Sequence, residues 1–207
     1  MDVTTLAVAL ISVGGTLGGA VLSQRPHREQ SQRADRERQQ EREDQAIQAR
    51  RDLYARLNAT ARAYRVAARD VVEAAKRGES VDPAPLDVAK EAWADQYSQA
   101  QMALPKDVLE VASALNRSLG VGYSVVRNLP RSSDLTESYR RANAWFGGPL
   151  SDGVYLLRVA LRHDLGVEVE PDFEETRAQL LTALDSARDD LARSLAVEGT
   201  PAGGAGT

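Results

Sequence analysis

Residues 47–78 read IQARRDLYARLNATARAYRVAARDVVEAAKRG, and this stretch decides the fold. Ile47, Leu53, Tyr54, Leu57, Ala61, Tyr64, Ala68, Val71 and Ala75 recur at steps of three and four, the period of one helix face. Alanine, leucine and arginine are strong helix formers, so local preference agrees with the period. Arginine, aspartate and glutamate recur among the remaining positions, with alanine between them. A helix that is apolar on one side needs other helices to cover that side. Gly78 offers a left-handed C-cap, and the following GESVDPAP, with Pro83 and Pro85, is a loop.

The same pattern continues downstream. Leu86, Ala89, Trp93, Tyr97, Ala100 and Leu104 mark a second helix. Pro105 breaks it and is placed to open a third as its first residue, through Val108, Val111, Ala112, Leu115 and Leu119. Gly120 and Gly122 either interrupt that helix or lie within it on the way to Leu129, where Pro130 stops it. Asp134 with Glu137 has the spacing of a capping box for a helix through Trp145. Gly147-Gly148-Pro149 closes that element. A fifth helix runs from about Ser151 to Leu165, stopping at Gly166, and a last one carries Phe173, Leu180, Leu184, Ala187, Leu191 and Leu195. The expected body is an all-α antiparallel bundle of four to six helices over residues 47–197. The tail 198–207, EGTPAGGAGT, is expected to be disordered.

Upstream the chemistry changes twice. Residues 25–46 are polar, with Arg, Glu and Gln closely mixed and no apolar stripe. Glu29 to Arg33 and Arg33 to Glu37 are favourable i,i+4 pairs, whereas Glu37 to Glu41 and Arg38 to Arg42 are not. A segment without an apolar face cannot enter a core, so a solvated helical stalk begun by Pro26 is the expectation. Before it, residues 3–22, VTTLAVALISVGGTLGGAVL, carry no charged side chain. Twenty helical residues span roughly 30 Å, about the hydrocarbon thickness of a bilayer.

Three readings compete for that opening. A cleaved signal needs a basic start and a small-x-small cleavage site, but the chain opens Met1-Asp2 and Ala20-Val21-Leu22-Ser23 fits poorly. A buried core helix is diluted by glycine, which costs up to about 1 kcal/mol in water yet is common in membrane helices. The adopted reading is a single-pass anchor over residues 1–24. Arg25, Arg28 and Arg33 follow the span and only Asp2 precedes it, which places the N-terminus outside and the body in the cytoplasm. Gly14, Gly15, Gly18 and Gly19 form overlapping small-xxx-small spacings, the pattern of membrane-helix packing and hence of a homo-oligomer.

Composition limits function more than it defines it. The formal net charge is −4, unlike the basic excess of a typical DNA-binding domain, so nucleic acid is not an expected partner. There are no cysteines, which removes disulfides, thiolate nucleophiles and zinc-thiolate sites. His163-Asp164 sits near a helix end with no nucleophile or second histidine nearby in sequence, a position the helix dipole explains. Glu168, Glu170, Asp172, Glu174 and Glu175 lack the glycine and ligand spacing of a calcium loop. Gly120-x-Gly122 has no third glycine and no P-loop lysine. No catalytic residue, cofactor or metal is expected. Tyr123, Tyr139, Trp145 and Tyr155 are the candidate interaction or pocket residues, set against the plainer role of core aromatics.

The span VALISVGGTLGGAVLSQR, the Arg/Glu/Gln stalk, RRDLYARLNATARAYR and YSQAQMALPKDVLEVASAL resemble single-pass membrane-anchored helical proteins of high-GC actinobacteria. That resemblance implies an anchor followed by a helical body; the type has no assigned activity and no catalytic residues to carry across. The expected function is therefore a membrane-tethered interaction protein, with the bilayer, a second copy or an envelope-associated protein as partner. A small-molecule or lipid sensor built on the aromatic residues is the alternative, and an enzyme with a site inside the bundle is the remaining class.

Overall fold

The computed structural model describes residues 3–79, 82–132, 134–167 and 171–198, with side chains described from 33 to 196 of these. They form helices α1 (Val3–Lys76), α2 (Ala84–Ala103), α3 (Lys106–Asn128), α4 (Leu135–Gly147), α5 (Pro149–Asp164) and α6 (Phe173–Glu198), with a short 3-10 turn at Leu129–Arg131. No strand occurs among the described residues. The protein is all-α, as the periodicity requires. The chain divides into two units, residues 1–49 and 50–207.

In the first unit α1 runs through Pro26 instead of beginning there. Proline removes one N–H from the i→i−4 ladder, and the turns on either side keep theirs. From 33 to 49 every residue is exposed except Ala34, which is half-buried. The bonds here are local: Gln39 Nε2 donates to Glu43 Oε1 at 2.7 Å, and Arg38 lies 3.7 Å from Asp35. Ile47, expected on the core face, is 49 % exposed. The anchor over 3–22, with Gly14, Gly15, Gly18 and Gly19, falls on residues whose side chains lie outside the described set. Among the described residues no helix is long and apolar enough to cross a membrane.

The second unit is built around α3 and α5, which pack on each other. Both are buried well beyond a single stripe: α3 through Val108, Val111, Ala112, Leu115, Leu119 and Val126, α5 through Leu150, Leu156, Leu157, Ala160 and Leu161. Helices α4 and α6 lie against this pair, and α2 packs on α3. The C-terminal part of α1 contributes Leu53, Tyr54, Leu57, Ala61, Tyr64, Ala68 and Val72 to the same core. Val72 is fully buried where the sequence pattern favours its neighbour Val71, which is only partly covered.

Two glycines explain how helices approach one another. Neither Gly120 nor Gly122 interrupts α3. A Cβ at Gly122 would sit 3.0 Å from Trp145 Nε1 and 3.1 Å from Phe146 Cε1, so its missing side chain lets the α4 aromatics reach the α3 backbone. At Gly153 a Cβ would meet Leu184 Cδ2 at 2.9 Å and Leu115 Cδ1 at 3.4 Å, the point where α3, α5 and α6 converge.

Helix ends follow familiar rules, with two departures. Pro105 is the residue before α3 and not its first turn. Asp134 caps α4 by accepting from the Glu137 backbone N–H at 3.0 Å, but the Glu137 carboxylate turns to Arg140 instead of closing the box. Gly166, at φ 66°, ends α5 with the paired bonds Gly166 N to His163 O and Val167 N to Arg162 O, at 2.9 and 3.0 Å.

Candidate functional site

Helices α4 and α6 leave a groove of about 350 Å³ between them, lined by Arg141, Ala144, Trp145, Pro149, Ala187, Asp190, Leu191 and Ser194. Gly148-Pro149 stops α4 and starts α5, and Arg141, Ala144 and Trp145 near the end of α4 meet Ala187, Leu191 and Ser194 in the C-terminal half of α6 across the groove. The floor is apolar, built from Trp145, Leu191, Ala144, Ala187 and Pro149. The rim carries opposite charges. Arg141 donates to Ser194 Oγ at 3.3 Å and lies 3.8 Å from Glu137, while Asp190 pairs with Arg193. An apolar floor with a few polar groups at the edge suits an apolar side chain or acyl group with a polar end.

Trp145 is the one candidate aromatic that lines this groove. Its indole Nε1 is buried without a partner and lies on the Gly122 side, so the groove receives the ring and not the N–H. The other three are placed elsewhere. Tyr123 donates to Asp87 at 2.8 Å, with Lys90 Nζ 4.0 Å above its ring. Tyr139 ties α4 to α1 through a 3.0 Å bond to the Ala75 carbonyl. Tyr155 is 46 % exposed and carries Arg158 over its ring. The ring pairs among the described residues, Trp93 with Tyr97 and His163 with Phe173, include none of the four. The expected aromatic cluster is thus distributed over separate helix contacts.

A second feature gathers polar groups where α5 ends. The Tyr54 hydroxyl donates to Asp164 Oδ2 at 2.5 Å, and Arg50 lies 3.7 Å from the same oxygen. Burial first, then the bond to Asp164 and its charge, raises the Tyr54 phenol well above its ordinary value. His163 stacks on Phe173 with ring centroids 4.3 Å apart. Both residues line a small cavity of about 80 Å³ with Asp107, Asp164 and Glu174. No group of three or more His, Cys, Asp or Glu suited to a metal ion occurs among the described residues. Of the acidic run, Glu174 pairs with Arg177 at 2.6 Å and Glu175 accepts from Gln179 at 3.1 Å, while Glu168 and Glu170 lie outside the described residues. These are helix-start carboxylates meeting local donors.

Sequence reasoning found neither the groove nor the Tyr54–Asp164 bond. Tyr54 and Asp164 are 110 residues apart, and no local pattern links them. The groove depends on how α4 and α6 meet, which periodicity does not encode.

Compared with known families, curated proteins and solved structures, the chain finds no match.

Proposed function

We propose that this protein is a membrane-tethered helical interaction protein, anchored by residues 3–22 and acting through its body in the cytoplasm. The observation that carries the reading is the sharp boundary in the sequence: twenty residues without a charge, followed by Arg25, Arg28 and Arg33 and a stalk with no apolar face. Glycine is frequent in membrane helices, and Gly14, Gly15, Gly18 and Gly19 suit close helix pairing and self-association in lipid. Tethering raises the local concentration of the body near a bilayer-bound partner without any new contact. The groove between α4 and α6 is the surface offered to that partner, with Trp145 and Leu191 as floor and Arg141 and Asp190 as rim.

The groove also favours a second reading, as a sensor of an apolar small molecule or lipid tail, since its volume of about 350 Å³ falls in the range of ligand pockets. The two are separated in one set of experiments. Full-length protein is expected to sediment with membranes and to be released by detergent but not by salt or alkaline wash. In-cell cross-linking should then capture a second copy or an envelope protein, and Leu191→Arg should reduce that capture of the envelope protein. Recovery in the soluble fraction after detergent-free lysis overturns the tether. Stabilisation by acyl compounds that Leu191→Arg abolishes, with no cross-linked partner, selects the sensor.

A further inference from the structure

Arg62, Arg65 and Arg69 stand at i, i+3 and i+7 on α1, within the 50–207 unit. That spacing puts them on one face, successive Cβ atoms about 5–6 Å apart. Arg62 and Arg69 are exposed and Arg65 is half-buried. Arginines elsewhere on the body differ in their surroundings: Arg140 pairs with Glu137, Arg177 with Glu174 and Glu110, and Arg188 with Asp185 and Asp189. Among the described residues none of the three α1 arginines has a carboxylate at ion-pairing distance. Arg65 spends one N–H on the Phe146 carbonyl at 3.2 Å, and its Nε is buried with no acceptor. About two turns earlier, Asn58 Oδ1 is likewise buried without a donor. Burial first, then the charges of Arg69 and Arg62, lowers the Arg65 pKa, so the three cations feel one another.

In a chain of net charge −4, this arrangement is not a by-product of general basicity. Like charges at these spacings cost an isolated helix a few tenths of a kcal/mol per pair. We infer that the Arg62–Arg65–Arg69 face of α1 is a binding site for a phosphoryl group. A carboxylate offers two oxygens in one plane and a single charge, enough for one guanidinium fork. A phosphomonoester carries about −1.5 to −2 charges and three free oxygens, which matches three forks on one face. Arg65, held by the Phe146 carbonyl, is the fixed member; Arg62 and Arg69 are free to close on the anion. A soluble phosphomonoester and a phosphatidic acid headgroup share this chemistry. The site does not depend on the tether or on the α4–α6 groove.

The test uses the full-length chain in a non-ionic detergent, with inorganic pyrophosphate as probe and the melting temperature and Arg Nε–Hε resonances as readouts. Pyrophosphate should stabilise the protein saturably and shift the Arg65 resonance. In R62Q/R69Q, where only exposed side chains change, affinity should fall about tenfold or more, as loss of charge-assisted bonds predicts. The same variant without ligand should melt no lower than the parent, because repulsion has been removed. Should it fail to fold, R62K/R69K keeps the charge, loses the forks, and must still weaken binding. Soluble short-chain phosphatidic acid, whose headgroup is a phosphomonoester, is then added against pyrophosphate, with phosphatidylcholine as control. Competition by phosphatidic acid assigns the site to a lipid headgroup; no competition assigns it to a soluble phosphate compound. Absence of a saturable shift, or unchanged affinity in both double variants, overturns the proposal.

Discussion

Residues 33–49 and residues 149–164 are both helical, yet they are held by different forces. In the first, nearly every side chain is exposed, and the bonds are one-turn reaches such as Gln39 to Glu43. In the second, α5 buries Leu150, Val154, Leu156, Leu157, Val159, Ala160 and Leu161 against neighbours on several sides. The polar helix has only propensity and local pairs, each worth about 0.2–0.5 kcal/mol. The apolar one gains about 1.5–3 kcal/mol for each fully buried large side chain. A helix assignment therefore says little about stability until its environment is known.

The contrast is broken most severely from the α5 side. Leu157 is fully buried, and Leu157→Ala should destabilise the body by about 2–5 kcal/mol, read as a lower denaturation midpoint at unchanged slope. Next in size is a pair of substitutions two residues apart on α3. Gly122→Ala must push on the rigid rings of Trp145 and Phe146, an overpacking cost of about 1–3 kcal/mol that outweighs alanine's better helix propensity. Gly120→Ala meets nothing within 4 Å and should instead stabilise by about 0.5–1 kcal/mol. Two shifts of the same sign would mean that α4 does not crowd Gly122.

Tyr54→Phe acts at the polar end of α5 and should cost about 1 kcal/mol by leaving Asp164 with Arg50 alone. It also has a pH signature. The folded-state Tyr54 phenol is raised above its value in the unfolded chain, near 10. The unfolded phenol therefore loses its proton first as pH rises. The stability tied to the proton is intact below about pH 10 and declines above it, until the folded phenol ionises too. Tyr64, raised chiefly by burial, acts in the same direction. Denaturation midpoints measured from pH 8 to 11 should fall in the parent and fall less in Tyr54→Phe. An equal slope in both proteins would place the alkaline loss elsewhere.

The sequence made the helices legible because periodicity and punctuation are local. Gly78, Pro105, Pro130, Gly148 and Gly166 all fall at or beside helix ends, and the Asp134 cap forms. What the pattern could not convey is which helix becomes central. The apolar periodicity of α3 and α5 is stronger than that of α2, but a strong single face does not say that these two helices are enclosed on several sides. The same limit applies to the site. The aromatics cluster in sequence between Tyr123 and Tyr155, but each points to the helix packed beside it, and only Trp145 reaches the groove. Arg62, Arg65 and Arg69 are visible as residues; that Arg65 meets the Phe146 carbonyl and none of the three meets a carboxylate among the described residues depends on what packs around them.

The smallest expected effect lies in the polar helix, and it tests the comparison from its weaker side. Glu43→Ala removes the acceptor of Gln39, and Arg38→Ala removes the cation beside Asp35. Neither side chain touches the core, so each should change helical content at 222 nm slightly, by a few tenths of a kcal/mol, and leave the denaturation midpoint of the body where it was. The Arg38 effect should shrink as salt is raised from 0.01 to 0.15 M, because an exposed ion pair is screened over about a Debye length. The Glu43 effect has a hydrogen-bond component and should persist in part. If either substitution moves the body's midpoint by as much as Leu157→Ala, residues 33–49 take part in a packed interface, and the division between a solvated helix and a buried one no longer holds.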